Sequence, residues 1–169
     1  MRAGVNANDR EENMGSDITK KIAALSPFNA DHIAWKRLEG GEAFDYPIDY
    51  WVALLGTDKE TGRADFLVKW EPGAYCHFHK HTGSTTVLVL EGEHHIVEES
   101  PTETVHKTRK PGHLVHNPPG DVHMEYGGPD GSLLFFSMKS DDGTLFEFLD
   151  RSGNLLRTIT VDDLITENY

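Results

Sequence analysis

The sequence predicts an all-β domain, a sandwich or a barrel, on three observations. From about residue 47 onward, short apolar or alternating runs recur at regular spacing. Gly, Pro and Asp punctuate them, and no long segment of 3.6-residue period lies between. A parallel α/β sheet would need such helical segments, so βαβ units are not expected.

The elements follow in order. Residues 1–15 are polar, with little to bury, and read as a disordered tail. Residues 16–46 read as an N-terminal extension, in which Ser16-Asp17 caps a short helix that runs to Leu25 and stops before Pro27. The β domain itself is placed at 47–169. Its runs are IDYWVALL, ADFLVKW, YCHFHKH, TTVLVLEG, HHIVEE, HLVHN, VHMEY and SLLFFSM, separated by turn sequences such as GTDKETG, EPG, KPG, PPGD and GGPDG. LFEFLD and NLLRTIT, joined by RSG, read as a hairpin, and VDDLITENY as a last helical turn or two.

At 169 residues the chain can bury one sizeable core but not two. With 37% apolar and 26% charged residues it is not a disordered chain, and no apolar run approaches the roughly 20 residues of a membrane span. MRAGVNANDREENMG has no apolar stretch behind its Arg, unlike a secretory signal. Cys76 is the sole cysteine and makes no internal disulfide, which fits a reducing, cytoplasmic setting. A net charge of −12 disfavours nucleic acid and anionic membrane as partners, because both are held by Lys/Arg patches. An open strand edge invites pairing, so a homodimer is the expected assembly.

Ten histidines are the unusual feature, against roughly three or four for ordinary composition. Residues two apart on a strand share a face, so a strand over Tyr75–His81 would align His77, His79 and His81 and turn Cys76 away as a small buried side chain. Two imidazoles at that spacing can reach one ion at about 2.1 Å. The same face is also compatible with a wet surface. His94, His95, His106, His113 and His116 read as strand-surface or satisfied polar residues rather than ligands.

The wider spacing narrows the choice. Gly73, five residues, His79-Lys80-His81, three residues, Thr85, six residues and Gly92 are followed by Gly112, five residues, Pro118, a further residue, Gly120, two residues and His123. These offsets resemble the two motifs of the cupin superfamily, G-x5-H-x-H-x3-E-x6-G and G-x5-P-x-G-x2-H-x3-N, over residues 73–127. The resemblance implies an RmlC-like jelly roll, the double-stranded β-helix. It assigns metal-ligand roles to His79, His81 and His123. Thr85 stands where the motif Glu is expected and Gly127 where the Asn is, so a three-His sphere is implied, with open positions for water or substrate. A Thr hydroxyl is a poor ligand beside a carboxylate or imidazole. His77 reads as a pocket residue or further ligand, Glu98 as a replacement for the lost carboxylate or as a solvated Glu, and Tyr75, Val87 and Val89 as inward-facing.

HKHTG, NPPGDVH and the tail FEFLD-x-x-G-N are similar to the branch containing 2,4′-dihydroxyacetophenone dioxygenase and the ChrR-like cupins. That resemblance implies a divalent metal, Fe(II) foremost with Zn, Ni or Mn as alternatives. It also implies cleavage of a carbon–carbon bond in a small hydroxyketone or dicarbonyl. It further implies that the hairpin 144–160 covers the mouth of the barrel. The competing expectation is a non-enzymatic, zinc-binding sensor-type cupin. A metal-free sugar epimerase is disfavoured by the HxH plus His123 pattern.

Overall fold

In the computed structural model the residues described are 33–41, 44, 47–100 and 102–169. The expected tail and the helix over 16–25 lie outside them. The described residues of the unit spanning Ile33–Tyr169 form ten strands: β1 (Lys36–Glu39), β2 (Asp49–Asp58), β3 (Arg63–Trp70), β4 (His79–His81), β5 (Ser84–Glu99), β6 (Thr104–Arg109), β7 (Leu114–Asn117), β8 (Val122–Lys139), β9 (Thr144–Leu149) and β10 (Leu155–Thr160). One short helix, α1 (Val161–Ile165), closes the chain with a capping box in which Thr160 and Asp163 bond each other's backbone amides. Among the described residues, no helix is long and apolar enough to cross a membrane.

Every strand pair named here is antiparallel. One wall runs β1-β2-β3-β8-β5, with β6 and β7 pairing the two halves of β5; the other runs β8-β4-β9-β10. The strand β8 belongs to both. Its start pairs β4 (His79↔His123), its next residues pair the second half of β5, and Ser132–Lys139 lies between β3 and the first half of β5. The all-β jelly-roll expectation therefore holds.

Three details differ from the sequence reading. The sheet begins at Lys36 rather than at residue 47, because Lys36–Glu39 pairs in register with Asp49–Val52. Only Leu38 of that strand is buried, too little for a period-2 signal. TTVLVLEG and HHIVEE form one bent strand, as do VHMEY, GGPDG and SLLFFSM. The bend in β5 falls at Gly92, where the register shifts and φ is +69°. A Cβ there would meet the Gly131 carbonyl oxygen at 2.1 Å, so the kink requires glycine. Lastly, the hairpin β9-β10 is wall rather than cover, since β9 pairs β4 residue for residue (His79↔Phe148, His81↔Phe146).

The inward faces of both walls meet in a core that includes Phe66, Val68, Trp70, Val87, Val89, Leu134, Phe136 and Leu145, all nearly or fully buried. Phe66 and Phe136 lie ring on ring at 5.3 Å. Val87 and Val89 are thus core filling. Tyr75 is not inward: it packs with Phe78, Met124 and Leu149 in a separate cluster, its ring 4.9 Å from that of Tyr126.

Candidate metal centre

His79 and His81 stand two apart on β4 and face the same way, and the β4–β8 register brings His123 directly opposite His79. All three are buried, with 4%, 1% and 1% of their surface exposed. Their Nε2 atoms converge: His79 to His81 is 2.9 Å and His81 to His123 is 3.1 Å. Glu125, two residues beyond His123 and equally buried, places Oε1 3.5 Å from His123 Nε2 and Oε2 3.8 Å from His79 Nε2. The four donor atoms, one from each residue, lie within 4.8 Å of one another.

The surroundings fix which nitrogen carries the proton. His79 Nδ1 lies 2.7 Å from the His77 carbonyl oxygen, which can only accept, so the proton sits on Nδ1. Thr85 Oγ1 donates to the Gly83 carbonyl and accepts from His81 Nδ1 at 2.8 Å. Both arrangements leave Nε2 as a bare lone pair, aimed at its neighbour. His123 Nδ1 faces Asp121 Oδ2 at 3.3 Å, an ion-pair contact. Lone pairs facing each other at 2.9 Å in a buried space repel, and a cation among them removes the repulsion. Two nitrogens bound at right angles to an ion at about 2.1 Å would lie about 3.0 Å apart. The residues therefore fit a divalent metal, held through Nε2 with each Nδ1 braced from behind.

Charge agrees with this. Burial, with the neighbouring His123, pushes His79 down to about 4, and burial with both neighbouring imidazoles holds His81 well below the usual imidazole range. Burial opposes protonation of His123 as well, yet Glu125 and Asp121 outweigh it and raise it to about 9. Burial would raise the Glu125 carboxyl, but His94 and His123 hold it well below the ordinary carboxylate range. Two neutral imidazoles and one anionic carboxylate thus stand ready as ligands; His123 gives up a proton on metal binding.

The remaining sequence candidates fall around this cluster. Thr85 is not beside the Nε2 atoms but behind His81, as its brace. His77 does not join His79 and His81: its Nδ1 bonds Tyr50 Oη at 3.0 Å and its ring stacks on Phe148 at 4.3 Å. The expected strand from Tyr75 is the reason, because regular pairing begins only at His79 and alternation does not extend back through residues 76–78. Cys76 accordingly faces inward, its Sγ 3.7 Å from His79 Nδ1 and accepting from the Glu125 amide. Glu98 lies on β5 in an ion pair with Lys107, outside the donor group.

Glu125 is the residue the sequence reading missed, whereas His94, read there as a surface or satisfied polar residue, is a buried and hydrogen-bonded one outside the donor set. The i, i+2 spacing that relates His79 to His81 also relates His123 to Glu125, and that was the available signal. His94 is fully buried and its Nε2 lies 2.8 Å from Glu125 Oε1. Gly127 stands in the Asn position of the motif because Trp70 is packed against it: a Cβ there would meet Trp70 Cβ at 3.0 Å.

Next to the cluster is an apolar cavity of about 50 Å³, lined by Val52, Phe66, Trp70, Phe136, Phe146 and Phe148 among others, with His79 and Glu125 at its edge. The Phe146 ring stands 5.6 Å from that of His79 and 5.2 Å from that of His81. Apolar space of this size admits only a few heavy atoms unless a lining side chain moves.

Comparison with solved structures gives the same fold repeatedly. A candidate acetylacetone dioxygenase of Methylibium petroleiphilum PM1 superposes with a TM-score of 0.63 at 16% identity, covering 99% of this chain and 97% of its own. An RmlC-like cupin of Ralstonia eutropha JMP134 gives 0.61 at 17%, covering 86% and 87%. The acetylacetone dioxygenase of Acinetobacter johnsonii gives 0.60 at 19%, covering 84% and 96%. At these identities the likeness shows the fold alone. None of the curated proteins matches. The pattern of the ChrR Cupin-like domain matches residues 28–140, a stretch that takes in β1 through β8 and every one of the four converging donors. On that match, which spans about two thirds of the sequence, the chain belongs to the ChrR cupin-like family.

Proposed function

We propose that this protein is a metal-dependent dioxygenase that uses O2 to cleave a carbon–carbon bond in a small hydroxyketone or 1,3-dicarbonyl compound, with Fe(II) as its ion. The observation that carries the reading is the convergence of His79, His81 and His123 Nε2 with the Glu125 carboxylate inside an apolar wall. When bound there, a redox-active divalent ion supplies Lewis acidity to an enol and a path for its electrons to O2. The three imidazoles would hold that ion, and the Glu125 carboxylate would lower the charge of the site from +2 to +1, which suits an anionic substrate. Phe146 and Phe148, with the buried wall behind them, exclude bulk water. Two solved structures of the same fold carry the name acetylacetone dioxygenase, which favours the dicarbonyl class.

A second reading, a non-enzymatic metal-binding domain, is favoured by the small cavity: a substrate of more than a few heavy atoms has to displace Phe146 or Phe148. One experiment separates the two. Protein loaded anaerobically with Fe(II) is mixed with aerated buffer and a panel of 1,3-diketones and 2-hydroxyketones in an oxygen electrode. The dioxygenase reading expects O2 uptake in step with substrate loss, abolished in His123→Ala. Tight zinc binding with no uptake on any member of the panel would establish the second reading instead.

A further inference from the structure

Behind Glu125 stands a residue that touches none of the three imidazole nitrogens' shared space yet fixes the fourth donor. His94 is fully buried and lies on β5 just past the Gly92 kink, where the register shift turns it inward onto β8. Its ring is stacked on Trp70, with centroids 5.8 Å apart and planes 20° from parallel. The Nε2 atom is 2.8 Å from Glu125 Oε1, the shortest polar contact that either carboxylate oxygen makes among the described residues. A carboxylate acting as a metal donor is ionised and can only accept, so across this 2.8 Å contact His94 donates from Nε2. Its Nδ1 meets no protein partner among the described residues, which leaves the ring no second tether and the Trp70 stack as its support.

We propose that His94 is a positioning residue that restricts Glu125 to a single-oxygen approach to the metal and so keeps a coordination position open for an exogenous ligand. The inference rests on the metal reading above. Each carboxylate oxygen keeps a second lone pair after accepting one hydrogen bond, so the donor does not block Oε1. It fixes the plane of the carboxylate through Oε1, and swinging both oxygens to equal distance from an ion would strain that bond. Without the donor the group turns freely to chelate. Two-oxygen binding would occupy the position that an incoming anion needs. Three imidazoles and one carboxylate oxygen fill four positions of an octahedral ion, whereas chelation fills five.

The test uses the full chain loaded with Co(II), whose visible absorption weakens as its coordination number rises, and azide as the probe anion. His94→Gln retains a donor of similar reach; His94→Leu removes it; His94→Asn keeps polarity but is too short to reach Glu125, and it decides the matter if the leucine variant does not fold. The expected result is that His94→Gln keeps the parental spectrum and azide affinity. His94→Leu and His94→Asn should absorb more weakly and bind azide roughly tenfold or more less tightly, the size of effect typical for residues that orient ligands. Unchanged spectra and azide affinity in both donor-less variants would overturn the role of His94 and leave the metal site standing. Failure of the parental protein to take up Co(II) would overturn both.

Discussion

His77 shows how much a residue's neighbours decide. It sits between the ligand-bearing strand and a layer of aromatic rings, bonded to Tyr50 and stacked on Phe148, with 7% of its surface exposed. Burial lowers its pKa to about 4, with His79 and Arg157 adding to the effect. In the unfolded chain the same imidazole titrates near 6.5. Between those values the unfolded state binds more protons than the folded one, so stability falls as the pH drops from about 6.5 toward 4. The contribution of one such group is at most about 3 kcal/mol. Urea unfolding at pH 7, 6 and 5 should show this slope, and His77→Phe, which keeps the ring, should flatten part of it; an identical slope in the variant would refute the assignment. At the same scale, His79→Ala, His81→Ala and His123→Ala should each lower affinity for Zn(II) or Co(II) by about a hundredfold or more, since each removes one of three nitrogens. Calorimetric titration reads this directly, and a single variant with parental affinity would remove that residue from the site. The three histidines were legible because their offsets from Gly73, Gly92, Gly112 and Gly120 match a known motif pair. Glu125 was not, since the motif directs attention to position 85, where Thr85 instead braces His81.

Strands carry the next level of information, and here the sequence is more revealing about number than about extent. Alternation marks β2 and β3 best, where Tyr50 and Val52 and then Ala64, Phe66, Val68 and Trp70 are buried at every second position. It fails at β4, where three residues are too few for a period, and at β1, where one buried Leu38 is the whole signal. It also fails to show that β5 and β8 run on through their glycines, because Gly is ordinarily a turn signal and only the packing reveals it as a kink. Gly92 gives the sharpest test. Gly92→Ala forces a Cβ onto a backbone oxygen that cannot swing aside, at a φ that L residues avoid. The expected loss of stability is about 2 kcal/mol or more, read as a lower denaturation midpoint with an unchanged m value. Because His94 follows this kink, azide affinity of the Co(II)-loaded protein should fall as well. A variant as stable as the parent would show that β5 bends elsewhere.

For the molecule as a whole, the fold class followed from the rhythm of short runs and turns, whereas assembly does not follow from any pattern of that kind. A homodimer remains our proposal, and it draws on the exposed Leu55, Leu114, Leu155 and Leu156, which lie on β2, β7 and β10. Light scattering coupled to gel filtration should give twice the mass of one chain, and a monomer at micromolar concentration would end that proposal. The arrangement of β4 has a further consequence. Two of the three nitrogen donors hang from a strand of three residues, held on one side by two residues of β8 and on the other by β9. So short a segment has little rigidity of its own and borrows it from its flanks. An ion spanning His79, His81 and His123 would act as a clasp across the seam between the two walls, and amide hydrogens of β4 and β9 would exchange with solvent markedly faster once a chelator has drawn it out.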